Sequence, residues 1–116
     1  QSRSSAASDV YKRQELLEKD PGLQAVCCSS DTLAQGVMVE ALARGMRVPQ
    51  DLAICGFGDA EFAAHTVPSI STVHVDGPGI GRLAAQIIVS RSRGEQVAQT
   101  VHDLGFRLIE RQSTGG

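Results

Sequence analysis

The stretch that decides the fold is "LQAVCCSSDTLAQGVMVEALARGMRVPQDLAICGF", residues 23–57. Its first seven residues are a short apolar run suited to a buried strand. From Thr32 the spacing changes: Ala34, Val37, Met38, Ala41 and Leu42 recur at helical intervals along one face. Asp31 stands where an N-cap belongs and is favoured for that role, Gly45 stands where a C′ residue belongs, and Pro49 lies beyond. Residues 52–57, "LAICGF", are apolar throughout, the mark of a strand covered on both faces as in parallel sheets. Strand, helix and strand at this spacing predict a right-handed βαβ unit.

Upstream, "QELLEKDPG" (14–22) reads as the last turn of a helix followed by an Asp-Pro-Gly turn. The Ser-rich, aperiodic leader 1–13 resembles adaptor-derived sequence and is set aside as non-native or disordered. Downstream, "ISTVHV" (70–75) is rich in β-branched residues and predicts a third strand. Pro78 opens a second helix, Ile80, Leu83, Ala84, Ile87 and Ile88 form its apolar stripe, and Gly94 closes it. Residues 100–114 predict one or two strands interrupted near Gly105, and the tail 113–116 is expected to fray. The class is α/β with a mostly parallel sheet, built from residues 14–112.

Composition narrows the function. A chain of 116 residues supports one domain with a modest core, and with no Trp, one Tyr and three Phe that core is aliphatic. A net charge of −2 offers no basic face for nucleic acid. Three Cys, an odd count, suits a reducing compartment better than a disulfide framework. No apolar run approaches the ~20 residues that span a bilayer.

The obvious chemical motifs are weak. Cys27 and Cys28 are strand neighbours pointing to opposite faces, so they cannot readily share one ion. His65, His74 and His102 are scattered, and with no Cys-x-x-Cys spacing no metal site is expected. The cysteines read as small buried hydrophobes, and with no base named beside Cys28 no catalytic residue is assigned. "GFGDAE" (56–61) starts like a dinucleotide fingerprint, but Glu61 occupies the third small position. "GPGIG" (77–81) lacks the Lys and Ser/Thr of a phosphate loop. What remains is geometric. Ligands of open α/β sheets bind beyond the carboxyl ends of the strands. Ser29, Ser30 and Asp31 follow the first strand, Gly58 and Asp59 the second, and His74, Val75 and Asp76 end the third. Each residue alone is explained by capping or turn formation, whereas together they suit a polar small molecule such as a sugar or sugar acid.

These residues also carry a resemblance. "AVCCSSDTLAQGVMVEALARGMRVPQDLAICGFGDAEFAAHTVPSISTV" (25–73), "DGPGIGRLAAQIIV" (76–89) and "GFRLIERQST" (105–114) resemble the C-terminal effector-binding part of the lactose/galactose repressor family, closest to gluconate-operon repressors. The resemblance covers nearly everything after residue 14. It implies a periplasmic-binding-protein-like fold, a three-layer parallel-sheet sandwich, with the effector in a cleft between two subdomains. It also implies a cytoplasmic, dimeric transcriptional repressor that reaches operator DNA through an N-terminal helix-turn-helix this chain lacks. No cofactor, enzymatic step or membrane association is implied.

Residue by residue, the resemblance places Ser30, Asp31, Gly58, Asp59 and Asp76 at the effector. Gly58 stands where many sugar-binding members carry an Asp, and losing that carboxylate suits an anionic aldonate such as gluconate. Gly77 replaces a bulkier hinge residue and opens the cleft. Val37, Met38, Leu42, Phe62 and His65 fall near the dimer contact, although packing on the sheet explains the Val37 stripe equally well. The helix after Asp76 is expected to pack on a subdomain mostly absent from this chain. A periplasmic sugar-binding protein is the first alternative, distinguished by a signal peptide, and a dinucleotide-binding enzyme the second.

Overall fold

The computed structural model describes residues 14–116; the leader 1–13 lies outside the described residues. Two compact units are present, one running through His74 and resuming at Leu108–Gly116, the other Val75–Arg107.

In the first unit residues 14–19 are helical (α1). The predicted βαβ unit follows as β1 (Ala25–Cys27), α2 (Asp31–Ala43) and β2 (Ala53–Cys55). The two strands are parallel, with Ala25 opposite Ala53, Val26 opposite Ile54 and Cys27 opposite Cys55. β3 (Thr72–His74) pairs with β4 (Arg107–Ile109), and a parallel bridge from Cys55 to Ser71 joins β2 to the approach to β3.

Helix α2 ends as the sequence predicts. Gly45 takes φ 77°, its N–H donates to the Leu42 carbonyl, and the Met46 N–H donates to Ala41. This left-handed closure satisfies carbonyls the helix would leave unpaired. Its start differs from expectation: Ser30, not Asp31, is the N-cap, its Oγ accepting from the Leu33 N–H at 3.2 Å.

Ala34, Val37, Met38 and Ala41 of α2 are buried in one cluster with Leu17, Leu52, Ile54, Ala63 and Ile70. Val37 and Met38 are therefore core residues of this chain: the helix period that places them on one stripe turns that stripe onto the sheet. Leu42 and His65 are exposed, and Phe62 packs half-buried against the core. The strands are covered on one face only. Val26 and Ile54 turn toward α2, while Ala25 and Cys27 are exposed and Ala53 and Cys55 half-buried. The expectation that Cys27 is buried fails because nothing among the described residues covers that end of the face.

The tail expected to fray is held in place. Ser113 is fully buried; its Oγ donates to the Ile54 carbonyl and accepts from the Ser71 N–H at 2.8 Å. Residues Gln112–Thr114 form a short 3-10 turn.

The second unit is dominated by α3 (Gly77–Ser92), with Pro78 in its first turn. It closes by the same device as α2: Gly94 takes φ 76°, and the Gly94 and Glu95 N–H groups donate to Arg91 and Ser90. No residue of α3 is buried. Of the strands predicted over 100–114, only β4 forms.

Candidate functional site

The carboxyl ends of β1, β2 and β3 meet in a hydrogen-bonded network within the first unit. At its centre Asp31 is 2% exposed. Its Oδ1 accepts from the Thr72 hydroxyl at 2.6 Å and its Oδ2 from the Ala60 N–H at 2.6 Å. The Asp31 N–H in turn donates to the Phe57 carbonyl at 3.1 Å. Gly56 makes this placement possible, because a Cβ there would overlap the Asp31 carboxylate and come within 3.1 Å of its Cα. Asp31 therefore clamps the start of α2 to the loops after β2 and to β3.

Thr72 extends the clamp by accepting from the Asp59 N–H at 3.2 Å. Asp59 sits in the left-handed region, φ 55°, after Gly58 at φ 112°. This turn swings the Asp59 carboxylate between a guanidinium and an imidazole. Oδ1 accepts from the Arg111 guanidinium at 2.8 Å, and Oδ2 lies 2.9 Å from His74 Nδ1. Arg111 is fixed by a second bond to the Ile70 carbonyl at 3.0 Å. The Arg111 hydrogen bond, and after it His74, holds the Asp59 carboxyl below the usual carboxylate range despite partial burial. The His74 side chain is 41% exposed and bonds Asp59 through Nδ1. Gly58 is exposed and has open space where a side chain would stand.

The expected site residues thus separate. Asp31 and Asp59 meet through Thr72. Ser30 is part-buried and spends its hydroxyl on the cap. Asp76 belongs to the second unit, where its Oδ1 caps α3 by accepting from the Gly79 N–H at 3.0 Å. Three participants were not singled out from sequence. His74 was only one member of a strand end, Thr72 looked like an ordinary strand residue, and Arg111 lay within the closing "ERQST" motif with no role attached. Among the described residues no three His, Cys, Asp or Glu side chains gather as a metal centre, and no helix is long and apolar enough to cross a membrane.

The family model described as a periplasmic binding protein-like domain matches residues 1–114. The HTH-type transcriptional regulator GntR of Pseudomonas aeruginosa is 38% identical over 100 residues, 86% of this chain and 29% of that protein. GntR of Escherichia coli K12 is 32% identical over 105 residues, 90% of this chain and 32% of that protein. Among solved structures, the transcriptional regulator CelR–cellobiose complex superimposes with a TM-score of 0.85 at 32% identity, covering 92% of this chain and 33% of that one. GntR from Chromobacterium violaceum superimposes with a TM-score of 0.84 at 35% identity, covering 98% and 42%. The chain spans about a third of the length of the curated relatives it matches. On the parallel α/β fold, the family match and these likenesses, the chain belongs to the periplasmic binding protein-like domain family, on its lactose/galactose repressor side.

Proposed function

We propose that this chain is the effector-sensing and dimer-forming part of a cytoplasmic transcriptional repressor, and that its effector is a small carbohydrate acid such as gluconate. The observation that carries this is the Asp59–His74–Arg111 cluster at the carboxyl ends of the strands. A half-exposed imidazole stands there beside a guanidinium-neutralised carboxylate and an exposed Gly58. That surface offers hydrogen-bond donors and adds no unpaired negative charge, which favours an anionic polyol over a neutral sugar. In the complete regulator operator DNA is contacted by a separate helix-turn-helix, and the effector shifts the dimer between DNA-competent states. The outward-facing residues Leu42, His65 and Val39 are the dimer contact on this chain, with Phe62 behind them. Likeness to HTH-type transcriptional regulators supports the repressor assignment, and the cellobiose complex of the CelR regulator supports a carbohydrate effector.

The test is gluconate calorimetry on an intact relative altered at the position of Gly58. Because Gly58 has φ 112°, any side chain adds strain, so Gly58→Asn serves as the uncharged control. Gly58→Asp is expected to weaken gluconate binding at least tenfold beyond Gly58→Asn. Equal affinity in the two variants would sink the electrostatic assignment.

A further inference from the structure

Three thiols lie near the ends of β1 and β2, and the effector site uses none of them. Cys27 and Cys55 are direct partners in the parallel ladder. Aligned residues on adjacent strands stand about 4.8 Å apart, with side chains on the same face. Burial identifies that face: Val26, Cys28, Leu52 and Ile54 pack toward the core, while Ala25, Cys27, Ala53 and Cys55 lie on the opposite side. The row continues from Cys55 to Ser71 through the parallel bridge. Ser71 is buried and its hydroxyl is occupied by the Arg111 backbone and Thr114 Oγ1. The open end of the row is therefore a pair of thiols, one exposed and one half-buried.

The spacing discriminates between fates for such a pair. A disulfide needs its Cβ atoms about 3.5–4.5 Å apart, closer than flat parallel strands hold them. Two metal–thiolate bonds of about 2.3 Å in line span about 4.6 Å, which fits the ladder without moving it. Soft thiolates select soft closed-shell cations. We propose that Cys27 and Cys55 form a two-thiolate site for a soft monovalent cation, monovalent copper being the type. On binding, each thiol releases its proton to water, two S–Cu bonds form, and no electron is transferred. Cys28 is a built-in control. It packs toward the core, on the face of the strand opposite the pair.

The test is an anaerobic titration of the whole chain with monovalent copper against a chromogenic copper chelator, with stoichiometry by native mass spectrometry. One copper per monomer is expected, with two of three thiols protected from a thiol reagent and two sulfur neighbours by X-ray absorption. Cys27→Ser and Cys55→Ser should each weaken binding at least tenfold, and Cys28→Ser less than twofold. Cys27 is exposed, so its serine variant keeps the fold, which far-UV circular dichroism verifies. Full affinity in either Cys27→Ser or Cys55→Ser, equal loss in Cys28→Ser, or copper held only between two chains would overturn the assignment.

Discussion

Two adjacent residues, Ser30 and Asp31, show how little a residue type says about its role. Either can cap a helix. Asp31 is drawn inward by the Thr72 hydroxyl and the Ala60 N–H, and the cap passes to Ser30. Ser30→Ala is expected to cost about 1 kcal/mol, the usual value of an N-cap. Asp31→Ala costs more, about 1–3 kcal/mol for each buried group it leaves unpaired. Urea midpoints of the two variants in dilute solution check the order, and equal midpoints would refute the clamp. Asp59 makes a pH prediction. Its folded pKa lies below the ordinary ~3.9, chiefly through Arg111 and then His74. Its contribution to stability is therefore full above about pH 4 and is lost as pH falls through the depressed folded value. Asp59→Asn should flatten the slope of stability against pH below about pH 4. An unchanged slope in acid denaturation curves would show that the ion pair does not act this way.

At the scale of the element, α2 has two sides with separate duties. Val37 and Met38 are nearly fully buried against Leu52 and Ile54, whereas Val39 is 60% exposed. Met38→Ala is expected to cost about 2–5 kcal/mol by opening a core cavity, seen as a lower urea midpoint. Val39→Glu and Leu42→Glu should leave that midpoint within about 0.5 kcal/mol, as exposed substitutions do. In an intact relative the equivalents of Val39→Glu and Leu42→Glu should shift sedimentation from dimer toward monomer. Persistence of the dimer would remove this face from the interface. The limits of α2 were legible to within two residues because periodicity, cap and Gly45 are local signals. The direction of its stripe was not: a helix with apolar residues at i, i+3 and i+4 can face a sheet or a sister chain, and both fit the same spacing.

For the whole molecule, the second unit raises a stability question. α3 carries a clean apolar stripe yet buries no residue, with Ile80 47% and Ile88 68% exposed. Each large apolar side chain left in water forgoes about 1.5–3 kcal/mol, and a few of these approach a domain's total of about 5–15 kcal/mol. The isolated chain is expected to self-associate or to lose α3 while the first unit stays folded. Sedimentation across a concentration series and backbone hydrogen exchange read the two outcomes. A soluble monomer with one sharp cooperative melt would contradict both.

The βαβ unit and the glycine-closed C-terminal ends of α2 and α3 were determined by the sequence alone, because hydrophobic period and left-handed glycines act within a few residues of one another. The family resemblance was equally legible, carried by ordered motifs. Tertiary structure alone decided the rest. Asp59 and Arg111 lie far apart in the chain, and only pairing of the strand ends brings them to 2.8 Å. Ser113, the first residue of a tail that reads as frayed, is buried because its hydroxyl closes the gap between Ile54 and Ser71. Cys27 and Cys55, distant in sequence, become neighbours only through the register of the parallel ladder. Each is a contact across the sheet, and its free energy depends on register and burial, which composition and local spacing do not encode.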